Sequence, residues 1–287
     1  MHIPVLQKEV LRYLDPKPNE NFIDATIGGG GHALEVLQKI APRGKVLGID
    51  WTPEAIRELK TYQKDMPNLI LTCDNFANLA EIVKQYKFNK VSGILFDLGY
   101  SSWHLEGSER GFSFQRKEPL DMRYNTQNQL TAEKILNYWS KFDIERILRE
   151  YGEEKFADKI AENIVQERKT RVIENTLQLV EIINQSVRGR QKIHPATRTF
   201  QALRIAVNDE LNNIEKVLPQ ALEILEPGGR LVVISFHSLE DRIVKNFLKN
   251  NSLKLNLLIK KPVVPAWQEI RINNRARSAK LRAAIKI

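Results

Sequence analysis

The stretch that decides the fold is NFIDATIGGGGH, residues 21–32. It begins with a short apolar run that predicts a buried strand, and Gly28–Gly31 separates this run from a segment of helical spacing over His32–Ile40. Glycine lets a backbone turn tightly and approach a ligand closely, because it carries no Cβ atom. In open parallel sheets, ligands bind at the carboxyl ends of the strands. The stretch therefore predicts the first strand, turn and helix of an α/β sheet, with a ligand site at the turn.

Strand and helix patterns alternate outward from this stretch, over the first hundred residues and again towards the end of the chain. Continuous apolar strands separated by helices indicate a parallel sheet that is covered by helices on both faces. Further strands are predicted at Lys45–Asp50, Leu69–Thr72, Val91–Leu98 and Arg230–Phe236, with two more at the sheet edge at Leu255–Ile259 and Lys280–Ile287.

The alternation is interrupted between about Leu105 and Ile193, where the patterns favour helices. These are predicted at Thr131–Asn137, Ile144–Tyr151, Glu154–Gln166 and Asn175–Gln185. A long helix is then predicted from Pro195, because apolar residues recur on one helical face at Phe200, Leu203, Val207, Leu211, Ile214 and Leu218. The chain is thus predicted to form an α/β domain from residues 1–104 and 195–287, interrupted by an inserted helical domain of residues 105–194.

The composition excludes several classes of protein. The chain has 287 residues and a single cysteine, Cys73, which rules out a disulfide framework and a multi-cysteine zinc site. No apolar run approaches the ~18 residues of a membrane span, and Lys8 and Glu9 interrupt the apolar start, unlike a signal peptide. We therefore expect a cytoplasmic protein and no membrane partner. Cys73 is expected to be a buried packing residue rather than a nucleophile.

Positive charge is concentrated near the end of the chain. Residues 254–287 hold 9 basic side chains and 1 acidic one, which accounts for +8 of the net charge of +9. Concentrated positive charge favours a polyanionic partner such as nucleic acid, although a solvated basic face is the alternative. RNA contacts are expected from Arg275, Arg277 and Lys280. A second basic segment without acids holds Arg188, Arg190, Lys192, Arg198 and Arg204, of which the last two are expected to reach RNA phosphates.

Polar and aromatic residues at the predicted strand ends suggest a nucleoside-containing cofactor. Asp50 ends the second strand, where a carboxylate can accept the hydroxyl groups of a ribose, and Phe76 follows the third, where a ring can stack on adenine. The glycine run also satisfies the dinucleotide pattern G-x-G-x-x-A, with Asp50 at 50 − 28 = 22 residues downstream, so alone it does not separate NAD from S-adenosylmethionine. The further acids Asp24 and Asp97 favour the cationic methyl donor, as does Glu226–Arg230 (EPGGR), which resembles a turn of methyltransferases.

Motifs along almost the whole chain resemble the methyltransferase H (MraW) family of bacterial small-subunit ribosomal RNA (cytosine-N4)-methyltransferases. The matching segments are HIPVL (2–6), the glycine run, DLGYSS (97–102), ERGFSF (109–114), PLDMR (119–123), YGEE (151–154), HPATRTFQ (194–201), SFHSLEDRIV (235–244) and residues 275–281. The resemblance implies a class I (Rossmann-like) S-adenosylmethionine-dependent methyltransferase fold with an inserted helical domain. Its cofactor contacts correspond to Gly30, Gly31, His32, Asp50, Phe76 and Asp97.

The family's next cofactor contact is a glutamine, and this chain has His104 in its place. Neutral histidine offers one donor and one acceptor, so it can replace the amide contact. Because imidazole ordinarily titrates near pH 6.5, a protonated His104 is expected to weaken binding of the cationic cofactor at pH 5.5.

The implied reaction is methyl transfer to the exocyclic N4 of a cytosine in the decoding region, with small-subunit ribosomal RNA or the small subunit as partner. Asp97 is the candidate catalytic residue, His237 is a candidate substrate-facing group, and no metal site is expected. The inserted domain is expected to recognise the RNA substrate, and a homodimer is one assembly that the sequence leaves open. The alternative from another class is a non-catalytic RNA-binding assembly factor, against which the intact glycines and strand-end acids argue.

Overall fold

A computed structural model describes residues 4–64, 66–100, 102–187, 189 and 193–287. The chain divides into two compact units, a sheet unit of Met1–Gly99 with Leu211–Ile287 and a helical unit of Tyr100–Glu210. The inserted unit is thus larger than the predicted 105–194. Some residues of the sequence motifs and of the basic segment lie outside the described residues, namely His2, Ile3, Ser101, Arg188, Arg190 and Lys192.

The sheet unit contains a seven-stranded sheet in the order β3-β2-β1-β4-β5-β7-β6. Strands β1 to β5 are parallel to one another, whereas β7 is antiparallel to both β5 and β6. The predicted α/β sheet is therefore confirmed, with β5 longer than expected because it includes the EPGGR segment. The strands are β1 (Asn21–Asp24), β2 (Val46–Asp50), β3 (Leu69–Cys73), β4 (Val91–Asp97), β5 (Leu225–Ser235), β6 (Leu255–Leu257) and β7 (Lys280–Lys286).

The helices follow the predicted order. Those that flank the strands of the sheet unit are α1 (Gln7–Leu14), α2 (Gly31–Ile40), α3 (Pro53–Gln63), α4 (Leu79–Gln85), α11 (Glu210–Ile224), α12 (Ser238–Asn250) and α13 (Trp267–Ile272). Those of the helical unit are α5 (Ser102–Glu106), α6 (Ala132–Tyr138), α7 (Lys141–Glu150), α8 (Ala157–Glu167), α9 (Thr176–Ser186) and α10 (Ala196–Asn208). None of the helices in the described part of the chain has the length and apolar character that a membrane span requires.

Helices cover both faces of the sheet, because alternate strand positions point to opposite faces. Ile23, Ile94 and Phe96 lie in one apolar cluster with residues of α4, α11 and α12. Phe22 and Leu95 lie in a second cluster with residues of α1, α2 and α3. This arrangement leaves the carboxyl ends of the parallel strands to form a site.

The prediction of one long helix from Pro195 is wrong. The segment forms two helices, α10, which ends just before Asp209, and α11, which begins just after it. Asp209 has a φ of 52°, in the left-handed region, and its N–H donates to the carbonyl of Ile205 as a cap. Phe200 belongs to the core of the helical unit, whereas Ile214 belongs to that of the sheet unit. One apolar stripe thus serves two separate cores.

Candidate active site

The glycine turn after β1 needs glycine for reasons that differ by position. Gly28 and Gly30 have φ angles of 50° and 80°, a backbone conformation that side chains disfavour. The N–H of Gly30 donates to the carbonyl of Ile27 over 2.7 Å, which closes the turn. A Cβ atom on Gly30 would also lie 2.9 Å from a methyl carbon of Leu59. Gly29, by contrast, has no atom within 4 Å of an added Cβ and faces open space.

Packing within the protein leaves no room for a side chain at Gly31. A Cβ atom there would lie 2.3 Å from Cγ of Pro4, so the N-terminal segment lies directly on the start of α2. That segment is itself held at Leu6, whose N–H donates to Oε1 of Glu269 over 2.7 Å. The sequence pattern gives no sign of this pairing, since it joins residues 263 positions apart.

Three aspartates end neighbouring strands at the same edge of the sheet. Asp24 ends β1, Asp50 ends β2 and Asp97 ends β4, and β1 lies between the other two strands. The structure thus brings together three of the acids that the sequence singled out. Their carboxylates give the glycine turn a negative environment.

Asp50 fixes the turn through its carboxylate. Oδ2 accepts the N–H of Gly28 over 2.9 Å, and Oδ1 accepts the N–H of Thr52 over 2.8 Å. Burial raises the pKa of Asp50 overall, although the hydrogen bonds from Thr52 and Gly28 oppose that shift. Each carboxylate oxygen has two acceptor sites, so Asp50 can still accept the hydroxyl groups of a ligand.

Asp24 is the most strongly perturbed acid of this group. Its side chain is buried, and burial raises its pKa to about 7, against the opposing effect of His32. The neighbouring charges of Asp97 and Asp50 raise it further, while a hydrogen bond from the N–H of Thr26 lowers it. Asp24 is therefore poised to lose its proton when a cation arrives.

His32 and Asp97 face each other with unused hydrogen-bonding capacity. Nε2 of His32 lies 3.7 Å from Oδ2 of Asp97, which is longer than a hydrogen bond. Both ring nitrogens of His32 and Oδ1 of Asp97 are buried without a hydrogen-bond partner among the described residues. Burial opposes protonation of His32, but the carboxylates of Asp97, Asp24 and Glu269 outweigh it and raise its pKa. Buried polar atoms without partners indicate a place for a ligand.

Thr26 holds Asp97 in place. The hydroxyl oxygen of Thr26 accepts the backbone N–H of Asp97 over 2.7 Å, which joins the turn after β1 to the end of β4. Thr26 is a further site residue that the sequence analysis did not single out. A hydroxyl beside a run of strand-end acids is the only signal for it in the sequence.

Phe76 starts a short 3₁₀ helix, Phe76–Asn78, directly after β3. The side chain of Asn75 caps this helix by accepting the N–H of Ala77 over 2.9 Å. The ring of Phe76 is half-buried and meets the ring of Phe96 edge-on at a centroid distance of 5.9 Å. Phe76 thus packs partly on the core, and part of its ring stays accessible.

His104 lies in the helical unit, on α5, and is buried among aromatic rings. The ring centroids of Tyr124 and Phe112 lie 4.9 and 5.0 Å from that of His104. Burial, together with the charges of Arg110 and Arg204, lowers the pKa of His104 to about 3. The expectation that His104 becomes charged at pH 5.5 is therefore wrong, and the imidazole remains neutral.

Arg204 cannot reach RNA in this structure, contrary to the expectation from its sequence neighbourhood. It is buried, with Nε and Nη2 donating to the two carboxylate oxygens of Glu210 over 2.8 and 2.9 Å. Its guanidinium also lies 4.5 Å from the ring centroid of Tyr100. Arg198 is half-buried and donates to the carbonyl of Glu153.

His237 and Cys73 have surroundings that the sequence alone did not determine. The imidazole of His237 caps α12, because its Nδ1 accepts the N–H of Glu240 while the Glu240 side chain accepts the N–H of His237. His237 thus caps α12 at the end of β5, and because its Nε2 is buried without a hydrogen-bond partner among the described residues, its role towards the substrate stays a prediction. Cys73, which was expected to be buried, is exposed at the end of β3.

Comparison with known proteins shows which proteins this chain is similar to in sequence. The sequence model of the MraW methylase family matches residues 1–287. A ribosomal RNA small subunit methyltransferase H from Heliobacterium modesticaldum is 46% identical over 311 residues, which cover 100% of this chain and 98% of the relative. A protein of the same name from Dictyoglomus thermophilum is 46% identical over 284 residues, which cover 98% of this chain and 95% of the relative.

Two solved structures share the fold at low sequence identity. A candidate rRNA methylase from Clostridium thermocellum is 14% identical with a TM-score of 0.51. A candidate methyltransferase from Streptococcus mutans, solved in complex with SAH, is 14% identical with a TM-score of 0.50. Each match covers 100% of both chains. These likenesses confirm the predicted α/β methyltransferase fold.

Proposed function

Because the chain belongs to the MraW methylase family over residues 1–287, we propose that it transfers a methyl group from S-adenosylmethionine to small-subunit ribosomal RNA. The acceptor we propose is the exocyclic N4 of a cytosine in the decoding region. Its curated relatives carry the name ribosomal RNA small subunit methyltransferase H, which supports the RNA substrate. The partner is then small-subunit ribosomal RNA, either free or within the small ribosomal subunit.

The observation that carries the choice of cofactor is the set of three strand-end aspartates around the glycine turn. S-adenosylmethionine has a sulfonium and an ammonium against one carboxylate, so it is a net cation that Asp24, Asp50 and Asp97 attract. The pyrophosphate of NAD would meet the same carboxylates as an anion. Like charges brought together at a partly buried site repel strongly, because screening is weak there.

The residues present fit S-adenosylmethionine at each of its parts. The unpartnered ring nitrogens of His32 supply hydrogen bonds beside the turn formed by Gly30 and Gly31. The carboxylate of Asp50 retains acceptor sites for the ribose hydroxyls, and the accessible part of the Phe76 ring provides a stacking surface for adenine. A contact from His104 in the place of the family's glutamine stays a prediction, and the neutral imidazole offers one donor and one acceptor.

The proposed chemistry depends on holding a poor nucleophile. The lone pair of the cytosine N4 is delocalised into the ring, so the site must orient the amine towards the methyl group. When bound, the cofactor would supply an electrophilic methyl group: the N4–C bond forms as the S–C bond breaks, S-adenosylhomocysteine leaves, and one N4 proton is lost to solvent. Oδ1 of Asp97 is buried without a partner and can accept an N–H of the amine, which stabilises the positive charge that develops on nitrogen. Asp97 is therefore the proposed catalytic residue, and Thr26 positions it.

The target base must be unpaired or flipped out to enter such a site. We propose that the helical unit, Tyr100–Glu210, contributes recognition of the RNA. This unit contains Arg198, one of the residues that the sequence predicts to reach RNA phosphates.

Labelled methyl transfer tests the proposed function. Purified protein is incubated with methyl-labelled S-adenosylmethionine and either small or large ribosomal subunits from cells that lack the modification. We expect label in small-subunit RNA, none in large-subunit RNA, and little with Asp97→Asn. Binding of small-subunit RNA without any label transfer would overturn the proposal in favour of a non-catalytic RNA-binding factor.

A further inference from the structure

The long connection between β6 and β7, residues 258–279, carries half of the net positive charge of the basic tail. It holds five basic residues and one acidic residue, Glu269. The basic residues are Lys260, Lys261, Arg271, Arg275 and Arg277. We call residues 258–279 the β6–β7 connection.

Cations in the strand that follows the connection are already used within the protein. Arg282 and Lys280 pair with Asp241 over 2.7 and 3.4 Å, and Lys286 donates to the carbonyls of Glu223 and Leu225. Lys280, which the sequence analysis grouped with the RNA contacts, is therefore committed to holding β7 against α12. Positively charged side chains that could bind a partner therefore lie in the β6–β7 connection and not in β7.

Four cations of the β6–β7 connection are exposed. None of them forms an ion pair within the described part of the chain, so their four positive charges are not compensated by acidic side chains. They are Lys260, Lys261, Arg271 and Arg277. The one acid, Glu269, is half-buried and occupied by the N–H of Leu6.

An exposed aromatic ring lies beside one of these cations, Arg271. Trp267, at the start of α13, is 66% exposed, and the guanidinium carbon of Arg271 lies 4.8 Å from its ring centroid. Val264 and Ile272 on the same connection are also exposed. A tryptophan with an arginine over its ring gives a flat, cationic surface on which a base can stack.

The connection is attached to the candidate cofactor site through Glu269. This carboxylate holds Leu6, and Pro4, two residues earlier, lies on Gly31 at the start of α2. The charge of Glu269 also contributes to the raised pKa of His32. A chain bound along the connection would therefore lie beside the glycine turn, within the same unit.

We propose that the β6–β7 connection is a binding surface for single-stranded RNA, with Trp267 as a stacking platform and Lys260, Lys261, Arg271 and Arg277 as phosphate contacts. The inference rests on the proposed function, because it names the part of the chain that holds the substrate strand. A base can stack on the exposed ring of Trp267 only if it is not already paired and stacked in a duplex, which favours single-stranded RNA as the ligand. Anionic membranes offer the same charge without bases to stack.

The test compares two charge-neutralised variants of the full-length protein. One carries Lys260→Gln, Lys261→Gln, Arg271→Gln and Arg277→Gln. The matched control carries glutamine at four exposed lysines of the helices next to β2 and β3, Lys39, Lys60, Lys64 and Lys84. Affinity for a fluorescent single-stranded RNA that contains the target region is measured over a series of salt concentrations.

We expect the connection variant to bind RNA more weakly and to reduce the slope of log affinity against log salt by up to about 3, since each single-strand phosphate contact contributes about 0.7. The control variant should bind the RNA with an affinity and a salt slope close to those of the wild type. Trp267→Ala should weaken binding by roughly 5- to 150-fold, and Trp267→Phe should restore part of it. Circular dichroism of each variant checks that it is folded.

Equal salt slopes for wild type and the connection variant would contradict the proposal that the β6–β7 connection binds RNA. If the wild-type protein methylates RNA in the same experiment, the proposed function is unaffected by that result. Wild-type protein that neither binds nor methylates the RNA would instead overturn the proposed function. Vesicles of anionic phospholipid form a further arm. Loss of vesicle binding with unchanged RNA binding in the connection variant would contradict the RNA surface and favour a membrane.

Discussion

Nε2 of His32 lies 3.7 Å from Oδ2 of Asp97, and neither side chain satisfies its hydrogen-bonding capacity within the described residues. The pair joins the start of α2 to the end of β4, at the edge where the strand-end aspartates meet. Unpartnered buried polar groups cost free energy, so a protein keeps them where a ligand completes them. We interpret this pair as the centre of the site, with His32 towards the cofactor and Asp97 towards the acceptor amine.

Asp97→Asn should reduce the turnover number for methyl transfer by about 10²–10³-fold, because it removes a preorganised charge from the developing positive charge on nitrogen. It should also lower the pKa of His32, since the Asp97 carboxylate is one of the groups that raise it. Single-turnover kinetics and NMR titration of the imidazole measure the two effects. Asp15→Asn, which removes a carboxylate paired with Arg230, is the matched control. An unchanged His32 pKa would contradict the pairing.

Asp50→Ala should abolish detectable binding of S-adenosylmethionine. The substitution removes both the acceptor for the ribose and the carboxylate that holds the N–H of Gly28. Asp50→Asn keeps an acceptor oxygen and should bind with intermediate affinity. Titration calorimetry with S-adenosylmethionine and with NAD measures this. Micromolar binding of NAD together with no binding of S-adenosylmethionine would refute the choice of cofactor.

Binding of S-adenosylmethionine should weaken as the pH falls below 7, by up to about tenfold per pH unit, because the cation favours ionised Asp24, whose pKa is about 7. Protonation of His32 acts in the same direction. In the unliganded protein, Asp24 keeps its proton between about pH 4 and 7 while the unfolded chain loses it, so Asp24 lowers the free energy of unfolding as the pH rises through that range.

Asp24→Asn isolates this contribution. The variant should bind the cofactor more weakly at pH 8 and show a flatter pH profile than wild type. Its unfolding free energy should not show the decrease that Asp24 causes between pH 4 and 7. Calorimetry and urea denaturation at several pH values measure these quantities, and parallel profiles for the two proteins would show that Asp24 does not titrate in this range.

His104→Gln should leave the pH profile of cofactor binding unchanged, because the pKa of His104 is about 3 and the group is neutral from pH 5.5 to 8. Its effect should appear in stability. Unfolding exposes the imidazole, which then takes up a proton below about pH 6.5. Well below pH 6.5, the unfolding free energy of the wild type therefore falls by about 1.4 kcal/mol for each pH unit of acidification. The stability difference between wild type and His104→Gln should therefore shrink on acidification, and a difference independent of pH would contradict the buried, neutral state.

The sheet could be predicted from the sequence because each parallel strand is a continuous apolar run followed by a turn. The positions of Asp24, Asp50 and Asp97 followed from the same logic, since the carboxyl ends of parallel strands meet at one edge. The break at Asp209 could not be predicted from periodicity, because the apolar spacing continues unchanged through it.

Features that depend on long-range packing were outside the reach of the sequence. Gly31 lies against Pro4, and Arg204 is neutralised by Glu210 instead of facing solvent. The same is true of His104, whose ordinary pKa is displaced by a set of rings and guanidinium groups that meet only in the folded unit. Residue type and spacing indicate what a side chain can do, whereas its neighbours in the fold decide its charge and its accessibility.

The most direct test of the account is nucleoside analysis of the methylated product. Small subunits that lack the modification are incubated with the protein and S-adenosylmethionine, and their RNA is digested to nucleosides and separated by chromatography coupled to mass spectrometry. The account predicts N4-methylcytidine from a single site in the decoding region, absent in the Asp97→Asn reaction. Methyl groups on carbon 5 of cytosine, on a ribose or on another base would contradict it.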